Sequence, residues 1–392
     1  MSETLPAAPA TPVFKGLAGA LSWASYKRLL RTIHLWTGMV LCLPMVLIGL
    51  SGSALLAQRE ILWLQGTAAT GTGERQPLTR VVAAAQASMP DFRANWIQLP
   101  PASGRPASVQ FIVANRPTRT MEVLVDPVSL KLLGSDEIVQ RGPIMRSITD
   151  MHEFLMLQSD IGLRVVGWMA IAMTVMGLSG LVLWWPRKGR WLAAFLVKRG
   201  ARGLRLHLDL HHAAGIWGLF LFLILSISGI YLAFPRTVSG IAQTTFSREV
   251  PDAKPLPPGF PSVWPMDADQ AVAAARIAVP DARPVGVKLP RPPDGLLMVQ
   301  MEAQGLAPSI PPITVTFDPR GSRSVHIDDP RYYPAADRAL NTLYALHFSV
   351  GMGGVWTFLV FLAGLLPTFL AVTGLTIWWK KRRNRVARRA VA

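Results

Sequence analysis

Four histidines carry the clearest chemical signal in this sequence. His34 and Gly38 form HxxxG, with Ser51-Gly52 seventeen and eighteen residues after the His, and His211, Gly215, Ser228 and Gly229 repeat that spacing. His152 precedes Gly180-Leu181 and Trp184-Trp185, while His347 precedes Gly374-Leu375 and Trp378-Trp379, the His-to-Gly separations being 28 and 27 residues. Imidazole binds metals, moves protons and changes charge near neutral pH. The single cysteine, Cys42, excludes an internal disulfide framework, a CxxCH haem attachment and every multi-Cys iron–sulfur or zinc centre. Any metal chemistry must therefore rest mainly on His.

The elements that position these residues are membrane spans. Of 392 residues, 51% are hydrophobic and 16% charged, a membrane composition. Residues 33–57, 161–185, 213–234 and 356–379 are each apolar over the roughly 20 residues that a bilayer crossing needs. Two long segments, 58–160 and 235–355, alternate with three short pieces, 1–32, 186–212 and 380–392. The short pieces hold eighteen of the 40 Lys and Arg but only two acids, Glu3 and Asp209. Nearly all of the net charge of +17 thus falls on one side, as expected of cytoplasmic loops and both termini. The basic balance is a signal of topology and lipid headgroups, not of nucleic acid. In a bacterial inner membrane the long segments would face the periplasm. The first span lacks a small-residue cleavage site and reads as a retained anchor.

The histidine spacings imply one module used twice: span out, outside domain, span back. Two spans per module keep the same orientation, so the repeats are parallel about an axis along the membrane normal. His34 is then expected to oppose His211 at the cytoplasmic end, and His152 to oppose His347 at the periplasmic end. Facing imidazoles at each end of a four-helix bundle suit two bis-His haem b groups, held without covalent attachment. Proton relay or another metal is the other chemistry open to membrane histidines. His207 and His212 are alternatives to His211 as ligand. The glycines let helices approach closely or let a flat macrocycle lie against backbone. His326 reads as a surface residue.

Each outside segment reads as α+β, a helix followed by an antiparallel sheet. The first has a helical pattern over 78–87 and strand patterns over 96–99, 108–113 and 121–125; the second has 268–278, 285–289, 296–301 and 313–317. Asp126-Pro127 and Asp318-Pro319 look like turns closing a strand. Pro255, Pro257, Pro258, Pro261 and Pro265 mark an extended linker into the second domain. No HExxH, GxSxG or distinctive acid pair is present. The short inside pieces lack GxGxxG, so NAD(P)H is not expected to bind in the Rossmann manner.

The patterns HLWTGM, the helix–strand–strand–DP segments, LSGLVLWWPR and LAVTGLTIWWKKR, spread from about Arg28 to Arg383, resemble the PepSY-associated transmembrane family. Within it the chain resembles bacterial inner-membrane ferrisiderophore (ferrioxamine-type) reductases. The resemblance implies a haem-dependent oxidoreductase that reduces an Fe(III)-siderophore in the periplasm and releases Fe(II), for iron uptake. Quinol or a soluble reductase would supply the electrons. PepSY modules are also associated with binding or inhibiting peptidases, so a binding or regulatory membrane protein is the alternative, as is a haem b carrier for another periplasmic acceptor. One geometric difficulty stands in the sequence. If 152–185 and 347–379 were continuous helices, each would run about 50 Å, leaving the outer pair beyond the bilayer unless residues 158–162 and 351–354 break them. Trp168, Trp217 and Trp356 are candidate intermediate carriers between two such distant haems.

Overall fold

The structure, a computed structural model, describes the chain apart from residues 1–21, 66–72, 101–104, 114–115, 136–142, 246–265, 291–294, 304–308, 318–324 and 392. Asp318 and the linker prolines Pro255, Pro257, Pro258, Pro261 and Pro265 lie outside the described residues. The first half of the chain runs α1 (Trp23–Gln65), α2 (Leu78–Ser88), β1 (Arg93–Gln98), β2 (Ala107–Val113), β3 (Arg116–Val125), β4 (Leu132–Ser135), α3 (Pro143–Phe154) and α4 (Ser159–Trp184). A short helix, α5 (Trp191–Ala194), sits in the connection. The second half runs α6 (Gly203–Ala233), α7 (Pro235–Thr245), α8 (Ala268–Ala278), β5 (Ala282–Lys288), β6 (Leu297–Ala303), β7 (Ile313–Phe317), β8 (Val325–Asp328), α9 (Ala335–Phe348) and α10 (Gly353–Val391).

Four helices are long and apolar enough to cross a membrane: Trp23–Ala57, Ser159–Trp184, Gly203–Ala233 and Gly353–Arg389. Three of them outrun the apolar stretches of the sequence by several residues, because Arg, Lys and Leu are good helix formers on either side of the hydrocarbon boundary. Helix α1 packs on α10, α10 on α6, α6 on α4 and α4 on α1, closing a four-helix bundle. Small residues set the approach. A Cβ on Gly49 would collide with the carbonyl of Gly364, and Ser53 Oγ donates to the Phe361 carbonyl at 2.9 Å, so α1 and α10 meet backbone to backbone. Between α4 and α6, Thr174 Oγ1 donates to Ser226 Oγ at 3.0 Å. Met45, Met169 and Phe222 are buried together in the middle of the bundle, with Leu41, Ile48, Val165 and Leu366 against them.

Outside the bundle the two α+β segments form one structure. All eight strands join a single antiparallel sheet in the order β4-β3-β2-β1-β5-β6-β7-β8. The seam is the pairing of β1 with β5: Trp96 faces Lys288, Ile97 faces Val287 and Gln98 faces Gly286. Leu99 N donates to the Val285 carbonyl at 2.9 Å and Leu289 N to the Asn95 carbonyl at 2.8 Å, the same bond made in each direction. Sequence alone reads two sheets, because strand patterns show which face is buried and not which edges meet. The strands β6 and β7 alternate buried and half-buried residues, and the buried face carries α2 and α8 over one continuous apolar core that includes Val81, Ile97, Phe111, Ala271, Val287 and Val315. The second half caps a helix of the first: the Asp269 carboxylate accepts from Leu78 N at 2.7 Å and Thr79 N at 3.0 Å, at the start of α2.

The helices that carry His152 and His347 are broken from the spans that follow. Leu155 and Met156 have φ of 51° and 60°, and Ser349, Gly351 and Gly353 have φ of 55°, 65° and 79°. These left-handed residues stop α3 and α9. Gly162 then lets α4 start hard against the Phe154 carbonyl, where a Cβ would collide. The 50 Å continuous helices do not form, and the outer histidines return to the bundle.

Candidate functional site

His152 and His347 face each other with ring centroids 6.4 Å apart and planes inclined by 53°. A metal bound at about 2 Å to one nitrogen of each ring, with that nitrogen roughly 1 Å from its ring centre, would place the centroids about 6 Å apart. At the other end of the bundle His34 on α1 bonds across to Ser179 on α4, and His211 on α6 bonds across to Thr373 on α10.

The hydrogen bonds decide which nitrogen of each ring is available. His34 Nδ1 lies 2.8 Å from Ser179 Oγ, His211 Nδ1 2.9 Å from Thr373 Oγ1, and His347 Nδ1 2.8 Å from Ser228 Oγ. Each of those hydroxyls has one proton, and each gives it to a carbonyl of its own helix: Ser179 to Met176 at 3.0 Å, Thr373 to Phe369 at 2.9 Å, Ser228 to Ile224 at 2.7 Å. A hydroxyl whose proton is on its own helix accepts from an imidazole Nδ1–H. His152 Nδ1 donates to the Ile48 carbonyl at 2.9 Å, with Ser51 Oγ at 3.4 Å and its proton on Leu47. His152, facing a carbonyl, carries its proton on Nδ1 and keeps the Nε2 lone pair; the same tautomer at His34, His211 and His347 is that of a metal-ligating histidine oriented by a second residue. Burial pushes the His347 imidazole down to about 4, helped by the facing His152, and burial lowers His152 as well. Both are neutral at ordinary pH, as a ligand must be.

Glycines give these rings room. A Cβ on Gly52 would stand 2.7 Å from His152 Cε1, on Gly180 3.5 Å from His34 Cε1, and on Gly374 3.4 Å from His211 Cε1. Gly229 differs, facing the Ala170 side chain at 3.5 Å. Between His34 and Ser51 on α1, and between His211 and Ser228 on α6, seventeen residues of helix separate the two levels. That is about 25 Å at 1.5 Å per residue, with the Met45, Met169 and Phe222 layer between.

Among the described residues no three or more His, Cys, Asp or Glu side chains gather as a metal cluster. A pair of imidazoles with no third donor fits an iron whose remaining ligands come from a macrocycle, and does not fit a tetrahedral protein-ligated zinc. His212 lies beside His211, ring centroids 6.5 Å apart, close enough for Asp209 and Lys381 to act on it. His211 has the Thr373 bond that matches the His34 to Ser179 bond. His326 is an exposed residue of β8 opposite Thr316. Asp126 is buried in a turn where its carboxylate accepts from Val128 N at 2.9 Å. Trp168 packs edge-on against Phe234 and is 66% exposed, and Trp217 is 69% exposed and donates to the Phe195 carbonyl at 3.0 Å. Trp356 donates to the Leu346 carbonyl at 3.0 Å.

Sequence reading missed the function of Ser179 and Thr373. Each directly precedes the glycine of an [ST]GL motif, so the position was visible, but its bond crosses to another helix. Comparison with known families finds that the model for the PepSY-associated TM region matches residues 31–381. No curated protein sequence matches the chain.

Proposed function

The chain belongs to the PepSY-associated TM family, and on that premise we propose that it is a bacterial inner-membrane di-haem reductase, moving electrons across the membrane to an Fe(III)-siderophore in the periplasm. The observation that carries this reading is that all four histidines make their hydrogen bonds through Nδ1, which leaves Nε2 to serve a ligand. His34 and His211 would hold one haem b, His152 and His347 the other. Bound there, haem would supply one-electron iron chemistry at a potential set by its histidine ligands, burial and neighbouring charge.

The chain's own residues do the rest. Ser179, Thr373, Ser228 and the Ile48 carbonyl hold each ring by Nδ1 and set its direction, and the glycines admit a flat group against backbone. Met45, Met169 and Phe222 keep water from the middle of the bundle. By the positive-inside rule the His34 end would face the cytoplasm, where quinol or a soluble reductase would deliver electrons, and the sheet would lie outside. An Fe(III) held by hard oxygen donors is loosened by one-electron reduction, which frees Fe(II). The pyridine haemochromogen assay on protein purified from haem-replete cells tests the reading, with about two haems per chain expected. A colourless protein would overturn it and leave the outside domains as binding or regulatory modules.

A further inference from the structure

The outer pair is symmetric in its histidines and asymmetric in what surrounds them. On α9, Phe348 follows His347 with ring centroids 5.4 Å apart, and Tyr344 lies 4.6 Å from Phe348. Tyr344 is 46% exposed and Phe348 40%. Counting equally from His152, the matching positions on α3 are Thr149 and Glu153. Thr149 Oγ1 turns back to its own helix, donating to the Met145 carbonyl at 3.0 Å. Among the described residues, His347 and not His152 continues into a pair of tilted, contacting aromatic rings that reaches the surface.

Electron transfer weakens steeply with distance and with gaps in packing, so a contiguous series of rings is the shortest conducting connection out of a buried site. Aromatic rings at a membrane boundary also serve as anchors, but anchoring requires neither contact with a ligand imidazole nor restriction to one half of a symmetric bundle. We propose that Phe348 and Tyr344 form the exit route for electrons from the outer site, with the Fe(III)-siderophore meeting the exposed ring of Tyr344. This rests on the haem reading above. One electron passes from the reduced outer centre to Fe(III), giving Fe(II), and is replaced from the hydroquinone or soluble reductase on the other side. No bond to the protein forms or breaks, both rings stay closed-shell, and the Tyr344 hydroxyl keeps its proton.

The test uses haem-loaded protein reduced anaerobically with dithionite, freed of excess reductant, then mixed with a ferric trihydroxamate in a stopped-flow spectrometer with an Fe(II) chelator present. Phe348→Leu and Tyr344→Leu should slow reoxidation about tenfold or more, while Tyr344→Phe, Phe348→Tyr and Thr149→Leu keep the wild-type rate. Haem content and the midpoint potential of the outer centre should stay unchanged in all five. Calorimetry with the redox-inert gallium(III) trihydroxamate should show binding weakened about tenfold by Tyr344→Leu. Wild-type rates and gallium binding in both leucine variants, or equal slowing in Thr149→Leu, would overturn the exit route while leaving the haem reading standing. A wild-type protein without haem overturns both.

Discussion

Thr373 Oγ1 lies 2.9 Å from Nδ1 of His211 and has already given its proton to the Phe369 carbonyl. A ring that donates Nδ1–H to it gains electron density on the opposite nitrogen, which would favour ferric over ferrous iron bound there. Thr373→Val keeps the shape and removes the acceptor. Spectroscopic redox titration should find the inner component raised by some tens of millivolts, the equivalent of about 1 kcal/mol for one hydrogen bond, with the outer component unmoved. No shift in either would mean that this bond does not tune the site.

Gly52 and Gly229 hold matching places in the two halves but meet different neighbours. A Cβ at Gly52 would press on His152 Cε1 at 2.7 Å, whereas one at Gly229 would touch Ala170 Cβ at an ordinary 3.5 Å. Gly52→Ala should displace the ring and lose or shift the outer haem component, and Gly229→Ala should leave the visible spectrum unchanged. Equal effects of the two substitutions would argue against a ring-specific function for Gly52.

Pairwise sharing of iron makes a spectral prediction. His34→Ala and His211→Ala should remove the same component and lower haem content from about two to about one per chain, while His152→Ala and His347→Ala remove the other. His207→Ala and His212→Ala should keep both. If His212→Ala behaved like His34→Ala and His211→Ala were silent, the inner ligand would be His212.

The cap that Asp269 places on α2 should be measurable as stability. Asp269→Ala strips the acceptor from Leu78 N and Thr79 N, at a cost of about 1 kcal/mol. The thermal midpoint of the sheet should fall by a few degrees with no change in the haem spectrum. A spectral change without a loss of stability would assign this carboxylate to the site instead.

Sidedness follows from charge. In oriented, anaerobic vesicles, reduced protein should be reoxidised by a ferric hydroxamate offered on the sheet side and not from the side of the basic loops. His152→Ala should slow this even though the inner component still becomes reduced. Equal reaction from both sides would contradict the proposed position of the acceptor.

The histidines, their serine and glycine companions and the four spans were legible because each leaves a local pattern, a spacing or an apolar run. Three features were not. Ser179 and Thr373 acquire meaning only when α4 and α10 lie beside His34 and His211. The turn at Leu155 and Met156 uses left-handed backbone at residues whose side chains disfavour it, so the local pattern pointed to a break at 158–162, a few residues beyond where α3 stops. The seam from Ile97 to Val287 joins residues far apart in sequence, and strand periodicity is silent about edge partners.

That seam has a consequence for how the protein is made. Between Ile97 and Val287 the chain crosses the bundle twice, through α4 and α6, so the sheet cannot be completed until both later segments have been threaded to the same side. Until then β1 is an open edge with unpaired backbone groups, the kind that recruits the wrong strand. Pairing so remote in sequence forms slowly. Biogenesis therefore has a vulnerable interval, in which a half-built sheet waits at the membrane for its second half, and substitutions on β5 should reduce yield before they touch the finished protein's chemistry.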